Sequence, residues 1–304
     1  MNRIRTSIYS RKAQTRQVLP NIRAIVYEKY GSPDVLQIRE IDKPSIADDE
    51  VLVKVHAASI QQTDINFRSG TPFLARVIAG LFKPKNQILG CDYSGTVEAK
   101  GKNINEYNVG DEVYRQLNKR TGTHAEYISL SLKEVSPKPK NLTFVEAASV
   151  GVAGTLALQF LRDHGEIHQG QKVLVNGASG GIGTFAVQIA KFYDTEVTGV
   201  CSTSNLDMVK SIGADHVIDY TQEDFTEKDS EYDIIFDAVR KNTFANCKNA
   251  LTPKGIYVTT EFGPKIMLQM RMNSNPNRKR MVGALLIQIH KILLSSLNSL
   301  KWGR

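Results

Sequence analysis

Three cysteines are all that this 304-residue chain contains, and Cys91, Cys201 and Cys247 lie far apart. An odd count with no close pair excludes a disulfide framework and a cysteine-rich structural zinc lobe, and it favours a reducing compartment. Long apolar runs are also lacking. No stretch of about 18 uncharged apolar residues occurs, so a membrane span is not expected. The nearest candidate, 281–300, is interrupted by His290 and Lys291. No apolar h-region follows the start, so there is no signal peptide pattern. Acids are missing from both ends. Residues 1–21 carry a charge of +5 and residues 265–304 a charge of +8. The net charge of +8 therefore leaves the body between them mildly acidic. A basic pI here is no argument for specific nucleic-acid binding by the fold. The Arg-rich, acid-free segment 1–21 has the composition of a mitochondrial presequence, and equally of a plain N-terminal extension. A cytoplasmic protein is the primary expectation and a mitochondrial one the alternative.

What is present is an average globular composition, 41% hydrophobic and 23% charged, arranged in two rhythms. From residue 22 to about 137 the pattern is short and β-like. Runs at 22–27, 35–41 and 51–58 are rich in Val and Ile and separated by Gly, Pro and Asp clusters, and further strands are expected at 88–99 and 123–129. This half reads as a partly open β-barrel, and Gly90 and Gly95 inside one run suggest a bulge or a close backbone approach. Pro137 and Pro139 punctuate the chain. Thr143 then serves as a helix N-cap with Glu146 as its capping-box partner, and a second helix is expected over about 154–164. From Lys172 strands alternate with helices: strands at 173–176, 196–201, 216–219, 233–238 and 256–260, helices at 181–193 and 206–212. That order predicts a doubly wound parallel sheet. The division expected is a basic extension over 1–21, a first domain over 22–140 and a nucleotide-binding domain over 141–304. Five strands are counted where two halves of three are usual, so no sixth strand is expected.

The strongest local signal is Asn176-Gly177-Ala178-Ser179-Gly180-Gly181-Ile182-Gly183, which follows an apolar strand and opens a helix. Glycines allow a tight turn and close approach of backbone to a pyrophosphate, which then meets the free N–H groups of a helix N-terminus. At the end of the next strand an acid would hydrogen-bond the ribose 2′-hydroxyl of NAD. Ser202, Thr203, Ser204 and Asn205 stand there instead, with no acid until Asp207. Hydroxyls without a repelling carboxylate favour NADPH over NADH. Lys210 adds a positive charge nearby, although a solvated helix-face lysine explains it as well.

These motifs together resemble the zinc-free medium-chain dehydrogenase/reductase proteins, the quinone oxidoreductase and zeta-crystallin group. The resemblance runs from about residue 24 to 264. It rests on Lys29-Tyr30-Gly31-Ser32-Pro33-Asp34-Val35-Leu36, on the segment from Gly90 to Gly95, on Gly110-Asp111-Glu112-Val113, on residues 147–191, and on Ser211-Ile212-Gly213-Ala214-Asp215-His216-Val217-Ile218-Asp219-Tyr220. It implies a GroES-like substrate domain, then a Rossmann domain, with the active site between them. It also implies where zinc ligands would stand in the metal-dependent relatives, at Gln61, Cys91 and Gly151. Only Cys91 and the following Asp92 offer ligand atoms, whereas a catalytic zinc takes about three protein ligands, so no metal is expected. Without a Lewis acid, hydrogen-bond donors must stabilise the developing oxyanion. That suits a quinone, an enone or a 2-alkenal as acceptor. The resemblance makes Thr63 the proton-relaying hydroxyl and Asn66 a donor to the substrate oxygen. It places Thr155 near the nicotinamide and adds Tyr220 and Val239 to the cofactor contacts. A homodimer is compatible with it.

The sequence departs from the family in two places. Arg240 stands where many relatives have glycine, either crowding the cofactor or pointing outward. The chain also ends at Trp302-Gly303-Arg304, where relatives continue into a sixth strand, a helix and a return to the first domain; a truncated product is the expectation. Two other readings stay open: an NADPH-binding protein without catalysis, crystallin-like or binding nucleic acid or another partner, and a membrane-surface helix over 281–304.

Overall fold

A computed structural model describes residues 21–117, 121–261 and 263–283. The N-terminal extension and most of the 281–304 segment lie outside these residues. The first half opens with β1 (Asn21–Val26) and β2 (Gln37–Asp42), an antiparallel pair. It continues with β3 (Glu50–Ala57), α1 (Gln62–Ser69), α2 (Phe73–Ala79), β4 (Asp92–Lys100), β5 (Glu112–Gln116), β6 (Tyr127–Ser131) and β7 (Ser136–Pro137). The last five strands form an antiparallel sheet in the order β6-β3-β4-β5-β7. Single bridges from Ala24 to Ala125 and from Val26 to Ile88 close the β1–β2 pair against it, which is the partly open barrel expected. Gly95 lies in β4, where a Cβ would stand 2.1 Å from the Lys54 carbonyl oxygen, so its glycine serves a close approach of strands. The all-β reading of this half missed α1 and α2. Both are short, and α2 turns its large residues outward, which inverts the usual amphipathic signal.

Then comes α3 (Phe144–Leu158), which runs directly into a π-helical turn over Gln159–His164. Two helices were expected, and there is one continuous run. Gly151 and Gly154 do not break it, because they are packing residues. A Cβ on Gly151 would lie 2.3 Å from Asp92 Oδ1. Thr143 caps the helix as expected. Its Oγ1 accepts from the Glu146 N–H at 3.2 Å, and the Glu146 carboxylate accepts from the Thr143 N–H at 2.8 Å. The run is long and apolar enough to cross a membrane by length and composition, and 67% of its most apolar 18 residues is buried within the fold.

The second half contains β8 (Lys172–Asn176), α4 (Gly181–Phe192), β9 (Glu196–Cys201), α5 (Leu206–Ser211), β10 (His216–Asp219), β11 (Tyr232–Asp237), α6 (Phe244–Cys247), β12 (Leu251–Thr259), α7 (Pro264–Met272) and β13 (Arg280–Gly283). The six strands form one parallel sheet in the order β10-β9-β8-β11-β12-β13, the doubly wound order. The expectation of five strands is thus corrected: Arg280–Gly283 pairs with Ile256–Thr259 as the sixth. Both faces of the sheet are covered. Val173, Val175, Ile234 and Phe236 pack into one core with Ala186, Ile189 and the end of α3. Leu174, Ile235 and Tyr257 pack into the other, with Phe244 and Ile266. Burial on both faces is why these strands read as unbroken apolar runs.

Candidate functional site

The sheet order reverses between β8 and β11, so the carboxyl ends of these two strands open a crevice where nucleotide sites form. The glycine loop leaves β8 at that point. Gly177 has φ +82°, and a Cβ there would lie 2.3 Å from Val239 Cγ1. A Cβ on Gly183 would lie 2.0 Å from the Gly177 carbonyl oxygen. These two glycines serve the crossing of loop, helix and neighbouring strand. Gly181 is different: a Cβ there meets nothing within 4 Å. Its face is open, next to the first turn of α4.

The N–H groups of this loop divide into two sets. Those of Gly177 and Ala178 both donate to the Val200 carbonyl, at 3.1 and 2.9 Å, and the Ala178 methyl is fully buried. Neither amide is free for a phosphate, which corrects the expectation that the whole run 177–183 offers its amides. The N–H groups of Gly181, Ile182 and Gly183 sit in the first turn of α4, where no intrahelical acceptor exists. With the partial positive charge of the helix end they are the part of the loop left open to an anion. Ser179 is half-buried at the lip of the turn.

Across the switch point stands a fully buried carboxylate, Asp237. Its Oδ1 accepts from Asn176 Nδ2 at 3.0 Å and from the N–H groups of Val239 and Arg240 at 3.3 and 3.1 Å. Its Oδ2 accepts from the Asn242 N–H at 3.1 Å and the Tyr257 hydroxyl at 2.9 Å. Five donors compensate the burial of one charge, and they fix the loop over 238–242 that carries Val239 against Gly177. The sequence reading did not single out Asp237. The available signal was an acid closing the run Ile234-Ile235-Phe236, since a carboxylate on a buried strand needs partners. Arg240 adopts φ +56° and is exposed.

Ser202, Thr203 and Ser204 form a turn at the end of β9. Ser202 Oγ accepts from Asn205 Nδ2 at 2.9 Å and lies 3.3 Å from Ser204 Oγ. The expectation that no carboxylate stands here is corrected. In the β9–β10 register Asp219 lies opposite Cys201, and its Oδ2 accepts the Thr203 hydroxyl proton. Thr221 donates to its Oδ1 through both N–H and hydroxyl, at 3.0 and 2.8 Å. These hydrogen bonds, Thr203 first, hold the Asp219 carboxyl below its usual pKa. Tyr220, 63% exposed, follows directly.

The third group lies in the first half. Two of the three positions at which the resemblance places zinc ligands, Gln61 and Gly151, converge on Asp92, the residue that follows the third. Gln61 Nε2 donates to Asp92 Oδ2 and, at 3.0 Å, to Ser59 Oγ. The Ser59 hydroxyl donates to the same Asp92 oxygen at 2.8 Å. Val152, beside Gly151, donates its N–H to Asp92 Oδ1 at 3.0 Å. Asp92 is completely buried. Burial raises its carboxyl to about 7 against the opposing pull of these hydrogen bonds. The donor set does not fit zinc. Gln61 points an N–H where a ligand lone pair is needed, and Gly151 has no ligand atom. The Cys91 thiol is pushed up to about 12, chiefly by burial and further by Asp64 and Asp92, so it is neutral. Among the described residues no group of three or more His, Cys, Asp or Glu side chains is placed to hold a metal.

Thr63 and Asn66 stand on α1, immediately after Gln61. Asp64, buried between them, accepts from the N–H groups of Gln61 and Gly90 at 2.8 and 2.9 Å and so pins α1 to the start of β4. Asn66 Oδ1 accepts from Gln62 Nε2 at 3.1 Å. Its Nδ2 has no partner among the described residues. Thr155 is 1% exposed and its hydroxyl has no partner there either; in this conformation no ligand reaches it.

Residues 47–140 match the alcohol dehydrogenase GroES-like domain and residues 181–293 the zinc-binding dehydrogenase family. The chain is 35% identical over 228 residues to the 2-methylene-furan-3-one reductase of Solanum lycopersicum, covering 72% of this chain and 57% of that one. It is 32% identical over 280 residues to a chloroplastic quinone oxidoreductase of Triphysaria versicolor, covering 88% and 83%. The quinone oxidoreductase structure from Coxiella burnetii superposes with a TM-score of 0.77 at 30% identity, over 88% of this chain and 83% of that one. The first curated relatives are longer proteins, of which this chain spans 57–60%.

Proposed function

Because the chain belongs to the medium-chain dehydrogenase/reductase family, we propose that it is an NADPH-dependent reductase of quinones, enones or 2-alkenals that works without a metal. One observation carries this reading: an open helix N-terminus at the switch point of a doubly wound sheet, in a chain whose family zinc position is filled by the Gln61–Asp92 hydrogen-bond cluster. The cofactor supplies the hydride. The N–H groups of Gly181, Ile182 and Gly183 hold its diphosphate, with Ser179 at the rim and Val239 and Gly177 forming the wall behind. Ser202 and Ser204 share one hydrogen bond at 3.3 Å, so one of the two keeps a hydroxyl proton to give to a 2′-phosphate. Thr203 gives its single proton to Asp219 and presents only lone pairs. Tyr220 flanks this end of the site.

On the substrate side Asn66 Nδ2 donates to the carbonyl oxygen as negative charge develops there. Thr63, one helical turn earlier, passes the proton that completes the reduction. The Asp92 cluster positions Gln61 at the N-cap of α1 and so orients the helix that carries both. Activated acceptors suit such a site because conjugation spreads the charge that no Lewis acid is present to bind. The three free, buried cysteines suit a reducing compartment.

Steady-state reduction of 9,10-phenanthrenequinone and of a 2-alkenal, with NADPH against NADH and with and without chelator, tests the proposal. NADPH should be preferred and chelator should change nothing. Strong inhibition by chelator, or no coenzyme uptake in a fluorescence titration of folded protein, would overturn it; coenzyme uptake without turnover would reduce the protein to a binding module.

A further inference from the structure

Helix α2 is inside out. Its small residues, Ala75 and Ala79, face the protein, while Phe73, Leu74, Val77 and Ile78 are each more than half exposed. The exposed set continues past the helix with Leu81 and with Phe82, which is 90% exposed. Isolated exposed apolar side chains are ordinary, but six within ten residues form a patch of the kind that marks an interaction surface. The segment is not loosely attached. The Tyr30 hydroxyl donates to the Gly80 carbonyl, Arg76 stacks over the Tyr30 ring at 4.9 Å, and Arg76 Nε donates to the Gly70 carbonyl at 3.2 Å. The middle and the C-terminal end of the helix are thus tied down while its apolar face is held out.

Charge identifies what the face fits. Between Asp64 and Asp92 the chain has no acid and four cations, Arg68, Arg76, Lys83 and Lys85. Lys83 and Lys85 are exposed immediately beside Phe82. Glu28, the acid facing Lys83, is already paired with Arg39 at 2.7 Å. A second copy of the same patch, brought up by a two-fold axis, would set these lysines against each other. A bilayer carrying anionic headgroups offers both what the phenylalanines need and what the lysines need.

We propose that the α2 segment, 73–85, docks this protein on the surface of an anionic membrane, with Phe73, Ile78 and Phe82 entering the interface and Lys83 and Lys85 on the headgroups. The inference does not depend on the hydride-transfer reading. The test is co-sedimentation of the full chain with vesicles of phosphatidylcholine alone and of phosphatidylcholine with phosphatidylserine. Binding should require phosphatidylserine and weaken with salt. The triple variant F73S/I78S/F82S should bind about tenfold more weakly or worse, and K83E/K85E should lose the preference for phosphatidylserine. Because these side chains are exposed, both variants should keep the wild-type melting curve by circular dichroism. The proposal is overturned if no vesicle is bound, or if both variants bind as the wild type does, which would assign binding to cations elsewhere in the chain. It is equally overturned if the wild type is a dimer in sedimentation velocity that the triple variant converts to a monomer without any change in vesicle binding.

Discussion

Arg240 holds a left-handed backbone, φ +56°, with its side chain in solvent, so it bears strain that glycine would not. Arg240→Gly should raise stability in urea by about 1 kcal/mol. The loop glycines separate under the same treatment. Gly183→Ala drives a Cβ to 2.0 Å from the Gly177 carbonyl oxygen; it should cost about 1–3 kcal/mol and abolish coenzyme binding by spreading the loop. Gly181→Ala meets nothing within 4 Å; it should leave stability within about 0.5 kcal/mol while weakening coenzyme binding, measured by fluorescence titration. Asp92 gives a pH signature. Its carboxyl is raised to about 7 in the fold against about 3.9 in the unfolded chain, so the folded state holds the extra proton. That contribution is fully present below about pH 4 and is lost as pH rises through 7. Asp92→Asn should therefore lose less stability than the wild type between pH 5 and pH 7, by up to about 1.4 kcal/mol per pH unit, in urea titrations at the two pH values.

Elements were legible in the sequence in proportion to how fully they are buried. The inner strands β8 and β11 are apolar on both sides and stood out, as did α4 with its one apolar face. The edge strand β13 did not, because four residues with Met281 and Val282 between Arg280 and Gly283 carry no period, and its place is decided by backbone pairing with β12. Met281 is nonetheless buried with Tyr257 and Ile266. Met281→Ala should cost about 2–5 kcal/mol in urea unfolding, a cost that a dispensable edge would not show. In α3 the sequence divided one continuous run into two helices at about residue 154, and Gly151 within it is required by the carboxylate lying against it. The outward apolar face of α2 defeated the pattern altogether, since periodicity assumes that large residues point inward.

At the level of the whole molecule, the order of a β-rich half followed by a nucleotide-binding half was readable from the change of rhythm at Lys172. The glycine loop was readable because its strand, turn and helix are contiguous. What was not readable is what only the tertiary fold assembles. Asp219 reaches Thr203 through the register of two neighbouring strands, and Asp237 gathers donors from three separate segments. Gln61, Cys91 and Gly151 were related only by a resemblance until the fold set Gln61 and the backbone beside Gly151 on Asp92, the neighbour of Cys91. That last meeting joins the halves. The front of α3 packs with Tyr114 of the barrel, its rear lies in the core of the parallel sheet, and Asp92 holds it in the middle. Heat therefore finds no seam along which to part the two halves: scanning calorimetry should record a single endotherm whose calorimetric and van't Hoff enthalpies agree, and Gly151→Val, by wedging the two halves apart, should break it into two.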